Sequence, residues 1–346
     1  GALSAVLESQ VGRGGRVALV AGPRPERIPL SLAQQRFWFL NQFDTSSAVD
    51  NIPLVVRLLG ELDVEALRAA VADVVERHEA LRTMYPAYEG VPYQESVAGD
   101  GAVPVIALLD VDPASLQDSV VGFMMRGFDV AAEIPLAGRV FRLGEQDFVL
   151  AFVVHHISAD GASMGPLARD VMVAYESRSR DRAPQWRPLE VQYADFAVWQ
   201  RAVLGSEQDP GSVASEQTSY WQHTLAGLPE QLNLPSDRQR PAQQSFRGRT
   251  VRFTIDATLH DDLVLLSRAT NATLFMTMHA ALTVLLARLS GTNDVAVGTP
   301  IAGRGARELD DLIGMFVNTL VLRSQVDPGA SFEELLAATR MGDLGA

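Results

Sequence analysis

Two adjacent histidines, His155 and His156, close a nearly unbroken apolar run in QDFVLAFVVHHISADG, with Asp160 four residues beyond His156 and Gly161 next to it. Imidazole is the side chain whose proton traffic falls at physiological pH, so a histidine displayed at the end of such a run is a candidate acid or base. The plainer role for a histidine beside an apolar strand is a satisfied core residue. Asp160 and Gly161 favour chemistry. A carboxylate at that spacing can brace the loop through an arginine, and a glycine removes a side chain where a substrate has to come close. Strand alternation sends His155 and His156 to opposite faces, so the pair alone does not make a metal site, and no further ligands are grouped nearby.

Two other patterns invite rival chemistry. GASMG, Gly161 to Gly165, fits the G-x-S-x-G elbow of a serine hydrolase, with Ser163 as nucleophile and His223, His260 and His279 downstream as possible bases. Against it, an elbow serine sits directly on a strand-to-helix turn, and here a loop intervenes. RHEALR has the start of a zinc-protease H-E-x-x-H, but Arg82 occupies the second ligand position and cannot bind zinc. GRGGR and GRGAR are loops without the lysine or long strand of a phosphate cradle.

The elements that would position these residues are legible from periodicity. SLAQQRFWFLNQF reads as a short amphipathic helix capped by Ser31, with Phe37, Trp38 and Phe39 as core packing, and NIPLVVRLLG as a strand. DVEALRAAVADVVERHEALRT is a helix capped by Asp63. Extended segments at Pro92 to Gln94 and Val103 to Leu109 precede a helix at Pro113 to Met125, strands at Leu136 to Leu143 and Phe148 to His156, and a helix at Gly161 to Arg178. Further helices are expected at Val191 to Leu204, Glu216 to Leu225, Ala257 to Thr270 and Thr273 to Leu289. Strands are expected at Arg247 to Ile255, Val295 to Gly298 and Phe316 to Gln325. Helices and strands mix in both halves, which predicts an α/β sandwich in two parts. Residues 1–29, rich in Gly, Arg and Pro, read as a linker. The Arg-, Ser- and Pro-rich stretch from Ser177 to Pro188 divides the rest into 30–182 and 183–346.

With 346 residues the chain exceeds the usual single-core size. Its formal net charge of -13 argues against nucleic acid, whose phosphates need a clustered positive surface. Every cation other than histidine is Arg. The absence of lysine removes Schiff-base and phosphate-loop chemistry, and the absence of cysteine removes thiolate catalysis, disulfides and cysteine-bound zinc. The longest apolar run, Phe148 to Val154, is far short of the roughly 20 residues of a membrane helix. The N-terminal stretch lacks the apolar core of a signal peptide, so a cytoplasmic protein without membrane partners is expected.

HHISADG resembles the His-His-x-x-x-Asp-Gly signature of the condensation domains of nonribosomal peptide synthetases, and Ser163 matches a serine that commonly follows it. Four more segments agree in the family's order: SLAQQRFWFL from Ser31, RHEALRT from Arg77, YADFAVWQR from Tyr193 and IGMFVNTLVLR from Ile313. The resemblance runs from Ser31 to about Arg340. It implies two subdomains similar to chloramphenicol acetyltransferase, set in a V with a tunnel between them, the second incomplete at Ala346, as in a piece of a longer synthetase. It implies amide-bond formation between a donor thioester and an acceptor amine, both delivered on phosphopantetheine arms by peptidyl carrier proteins, with an adenylation domain alongside and no cofactor or metal bound directly.

By position, His156 is then the working histidine, His155 its structural neighbour and Asp160 the loop brace. The arginine paired with Asp160 is open among Arg77, Arg82 and Arg304. Trp199 and Asn318 match positions kept near the site, and GTPIAGR, Gly298 to Arg304, resembles the tunnel floor. Ala162 stands where the family often has a bulky aromatic, which implies a wider tunnel or a changed acceptor choice. Paired histidines exclude a heterocyclisation domain, and FVNTLVLR resembles the condensation rather than the epimerisation form. A catalytically silent docking platform is the alternative from another class, and intact His156, Asp160 and Gly161 argue against it.

Overall fold

The computed structural model describes residues 17–239, 241–242 and 248–346. Two compact units emerge. Of the described residues, the larger holds 17–205 together with Ala302–Asn318, and the smaller holds those of 206–301 and Thr319–Ala346. Helices and strands mix in both, the α/β architecture that periodicity predicts.

In the larger unit the order is β1 (Ile28–Pro29), α1 (Leu32–Asn41), β2 (Asn51–Leu59), α2 (Val64–Arg77), β3 (Thr83–Met84), β4 (Ala87–Tyr88), β5 (Val91–Ser96), β6 (Ala107–Asp110), α3 (Leu116–Met124), β7 (Leu136–Gly144), β8 (Asp147–His155), α4 (Met164–Arg178) and α5 (Tyr193–Leu204). The main sheet runs β2-β8-β7-β6, with β8 antiparallel to both neighbours and β6 parallel to β7. Alternation along β8 explains its apolar sequence. Val149, Ala151 and Val153 enter one core with Phe37, Phe128 and Phe141, while Phe148, Leu150, Phe152 and Val154 enter a second with Leu67, Val71, Val74 and Leu167. A strand buried on both faces reads as a continuous apolar run rather than an alternating one. Each side chain buried from water contributes about 1.5–3 kcal/mol, so β8 is anchored along its whole length and its last residues are held in place.

Helix starts follow the capping residues. Ser31 accepts from the Gln34 amide while the Gln34 side chain accepts from the Ser31 N–H, a reciprocal cap, and Asp63 accepts from the Ala66 amide.

Several boundaries differ from those expected. The divide placed between 182 and 183 falls after Gly205, because α5 buries Tyr193, Phe196 and Ala197 in the larger unit's core. The Arg- and Pro-rich stretch is a surface crossing tied down on the way: Arg178 pairs with Asp73, and Arg77 lies over the Trp186 ring at 4.9 Å. Of the expected linker 1–29, residues 1–16 lie outside the described part. The rest is bound: Leu19 is buried, Arg24 bridges Glu79 and Asp195, and Ile28–Pro29 pairs with β5.

The smaller unit contains α6 (Val213–Thr224), α7 (Ala257–Ala269), α8 (Leu274–Ser290), β9 (Asp294–Ile301), most of β10 (Asn318–Gln325) and α9 (Phe332–Gly345), with β9 and β10 paired. Its core is small, centred on Met276, Ala280, Leu335 and Leu336. The strand expected at Arg247 to Ile255 is not formed among the described residues 248–255; Val251 and Phe253 are 79% and 82% exposed. Apolar alternation makes a strand only where a neighbour offers backbone donors and acceptors, and no described strand pairs there. Helix α9 was not expected, although Ser331 and Glu334 carry a reciprocal cap that announces it. No single helix among the described residues is long and apolar enough to cross a membrane.

Candidate active site

The ladder of β8 ends at His155, and the chain turns through His156, Ile157 and Ser158 before a short 3-10 turn, Gly161–Ser163, leads into α4. The two histidines are therefore separated by more than strand alternation. His155 remains in the strand, 1% exposed, edge-on to Phe37 and Phe128. The Ile157 amide donates to its Nδ1 at 3.1 Å, so the proton of the neutral ring sits on Nε2. Burial, with His156 as a neighbouring positive charge when protonated, pushes the His155 pKa down to about 4.

His156 lies outside the ladder and is half-buried, its ring stacked on Phe37 at 5.1 Å between centroids and 6° between planes. This corrects the expectation that the two rings point to opposite faces: both touch Phe37, because the strand has ended before His156. Its Nδ1 is 3.0 Å from the Ala159 carbonyl. A carbonyl only accepts, so Nδ1 carries the proton and Nε2 presents a lone pair. Phe37 is core packing, as the sequence predicts, and it is also the platform of the candidate base. No sequence signal separates it from the adjacent aromatics except its place on the buried side of α1.

The loop after His156 is braced from two sides. Asp160 is fully buried; its Oδ1 accepts from the Ser163 amide at 2.8 Å, the Ser163 hydroxyl at 2.7 Å and Arg304 Nη2 at 3.0 Å, and its Oδ2 from the Phe316 amide at 3.1 Å. Arg304 also donates to the carbonyls of Leu309 and Leu312 and lies 4.2 Å over the Phe316 ring. The open choice of arginine is thereby settled for Arg304. Arg77 is committed to Asp170 and the Arg187 carbonyl, and Arg82 to Ser96 and the Val97 carbonyl.

On the other side, Gln34 reaches the Ile157 carbonyl at 3.3 Å, the Tyr85 hydroxyl pairs with Ser158 at 2.7 Å, and the Trp38 indole donates to the Tyr85 carbonyl. Burial raises the Tyr85 and Tyr193 phenols above their ordinary range, which keeps both as proton-bearing donors. Tyr193 donates to the Met315 carbonyl at 2.5 Å, and its ring leaves no room for a side chain at Gly314, where a Cβ would stand 2.0 Å away.

The five sequence segments thus have a common purpose. Gln34 and Phe37 come from the first, Tyr193 from the fourth, and Gly314 and Phe316 from the fifth, all around the loop of the third. The second acts through α4: Arg77 and His78 hold Asp170, joined by Arg169. Burial opposes the Asp170 charge, but hydrogen bonds from His78 and Arg169 hold its pKa at about 2.

Ser163 is fully buried, its hydroxyl shared among Asp160, Arg304 and the Gly314 backbone. It is not a nucleophile. His279 is committed to Asp343 in the smaller unit, and His223 and His260 are exposed there. The hydrolase reading is overturned. Gly161 is exposed, with nothing within 4 Å of a Cβ built on it, so the fold does not require glycine there; the open space lies five residues from His156. Trp199 packs on Phe196 and donates to the Val17 carbonyl, and Asn318 is exposed at the start of β10. Among the described residues no group of three His, Asp or Glu could hold a metal ion.

A family model described as the condensation domain matches residues 25–344. The chain belongs to the condensation-domain family. It is 44% identical to a dimodular nonribosomal peptide synthase of Bacillus subtilis over 95% of its length, and 46% identical to an isonitrile lipopeptide synthase of Mycobacterium tuberculosis, also over 95%. It spans only 14% and 13% of those relatives. Among solved structures, the X-domain in complex with OxyB from teicoplanin biosynthesis superposes with a TM-score of 0.89 at 33% identity, covering 96% of this chain and 72% of that one. The first condensation domain of the calcium-dependent antibiotic synthetase shares the fold, with a TM-score of 0.72 at 22% identity over 93% of this chain and 75% of that one. The α/β fold is the chloramphenicol-acetyltransferase-like fold of this family.

The buried neutral His155 makes the condensation domain acid-sensitive in a definable window. A folded pKa of about 4 against an unfolded value near 6.5 means that the unfolded chain binds more protons between these limits. The stabilisation is complete above pH 6.5 and is lost as pH falls towards 4, on the order of 3 kcal/mol in all. His78, lowered chiefly by burial, adds to the same slope, whereas Asp170 acts only below the ordinary carboxylate range. Urea titrations at pH 7, 5.5 and 4.5 should show this decline, and His155→Gln should flatten it. An equal slope in both proteins would remove His155 as its source.

Proposed function

We propose that this condensation domain forms an amide bond between a donor acyl or peptidyl group, held as a thioester on one carrier protein, and the α-amine of an aminoacyl group held on a second. The observation that carries the reading is the fixed tautomer of His156: Nδ1–H is spent on the Ala159 carbonyl, and Nε2 is left as a base on a half-exposed ring. The amine nitrogen attacks the thioester carbonyl and forms the C–N bond. Nε2 takes the proton from that nitrogen, the C–S bond breaks, and the proton passes from the imidazolium to the departing sulfur, which leaves as the carrier thiol. No redox partner or directly bound cofactor is needed. Phosphopantetheine arms supply both substrates, and the two carriers and a neighbouring adenylation domain of a cytoplasmic synthetase are the partners.

One observation favours a second reading. The condensation fold of the X-domain was solved in complex with OxyB, so such a module can serve as a docking platform. The ordered base, its aromatic platform and the free space at Gly161 support the catalytic reading instead. Incubating the chain with defined donor- and acceptor-loaded carriers and identifying the product by mass spectrometry decides between them. An amide on the acceptor carrier is expected; its absence with a folded chain and loaded carriers favours docking.

A further inference from the structure

Asp50 is the residue opposite His156 at the end of the β2–β8 ladder, one step beyond the Asn51–His155 pair, and its carbonyl accepts the His156 N–H at 2.8 Å. Asp50 is half-buried, and among the described residues no hydrogen bond or ion pair ties down its carboxylate. By contrast, Asp73, Asp147, Asp160, Asp170 and Asp195 are each paired with arginine.

Burial raises the Asp50 pKa above the ordinary carboxylate value, and its charged neighbours, His156 and Arg36, act against that rise by favouring the ionised form. Arg36 is on α1, beside Phe37, with its guanidinium 5.8 Å from that ring; His155 is the other titratable neighbour of His156.

We infer that Asp50 is a positioning residue for the reaction, an unpaired carboxylate that stabilises the imidazolium formed on His156 when it takes the amine proton. The inference rests on the reading of His156 as the base. A carboxylate beside the ring gains its attraction to the ring only as the positive charge develops, which is the differential interaction that lowers a barrier. Asp50 acts by field and not by holding the ring's tautomer, since Nδ1 is already fixed by Ala159.

The test compares the full chain with its Asp50→Asn and Asp50→Glu variants by two readouts. In the first, diethylpyrocarbonate labels neutral imidazole, and peptide mapping follows His156 as a function of pH. Asparagine keeps the shape and the backbone bond but removes the charge, so the labelling midpoint of His156 should move to lower pH by about half a unit to one unit, and glutamate should restore it. In the second, amide formation with loaded carriers should fall about ten-fold in Asp50→Asn and recover in Asp50→Glu. A midpoint unmoved by Asp50→Asn overturns the inference even if the rate falls, because a structural role would lower the rate without moving the titration. The underlying reading fails separately, if His156→Ala retains the wild-type rate.

Discussion

His156→Ala should lower amide formation by about 10² to 10⁴ while leaving the chain folded, the range expected when a general base is removed. The substitution costs a stacked contact on Phe37 and one hydrogen bond to Ala159, both at a half-exposed site, so denaturation should shift by about 1 kcal/mol. His155→Ala should do the reverse. It empties a fully packed position between Phe37 and Phe128 and leaves the Ile157 amide without its acceptor, at about 2–4 kcal/mol of stability.

The size of the His156 effect also bears on mechanism. An α-amine titrates near roughly 7.7–8.0, so much of the acceptor is already neutral at physiological pH and no initial deprotonation is required. Holding two tethered reactants together supplies about 7–11 kcal/mol independently of any base, and this remains in the variant. His156→Gln then separates the two roles left to the ring. Glutamine can hydrogen-bond to the amine but cannot carry its proton; if it is as slow as alanine, His156 removes the proton, and if it retains most of the rate, His156 chiefly orients the nucleophile. Wild-type rates in the alanine variant would end the assignment.

What could be read beforehand follows a physical divide. Local rules were sufficient for Ser31 and Asp63 as caps and for β8 as a buried apolar strand, because each depends on neighbours within a few residues. Long-range choices were not legible. Arg304 lies 144 residues from Asp160, and three arginines satisfied the same chemical requirement until chain geometry selected among them. The domain boundary failed for a related reason: Pro- and Arg-rich composition marks a surface crossing, but only packing tells which core receives the helix after it. Phe37 is in the core, as its apolar spacing predicts, but its second role, the stack on His156, leaves no further mark on the helix. Val251, Phe253 and Ile255 show the converse, a strand-like alternation among residues that no described strand pairs. Asp50 carries no motif at all; only the backbone bond from His156 to its carbonyl, just past the end of the β2–β8 pairing, brings the two together.

The second large effect is expected at the brace itself. Arg304→Met should destabilise the larger unit by about 3–5 kcal/mol, because it leaves the fully buried Asp160 carboxylate without its counter-charge. Three neutral donors remain, the Ser163 amide and hydroxyl and the Phe316 amide, and they lessen the penalty without cancelling a buried charge. Asp160→Asn should cost a comparable amount for a different reason: one end of the new amide is a donor and must face either the Phe316 N–H or Arg304, both donors themselves.

The double variant should be less destabilised than the sum of the two, by about 2 kcal/mol, since each single change strands a partner that the double change removes. Urea denaturation of the four proteins measures this cycle, and simple additivity would mean that the pair is not coupled. The consequence reaches the chemistry through one peptide bond. Ala159, whose carbonyl sets the His156 tautomer, immediately precedes Asp160, so loosening Asp160 releases the acceptor that keeps Nε2 unprotonated. Under conditions where Arg304→Met is still folded, its amide-forming rate should therefore fall more than the fraction unfolded explains.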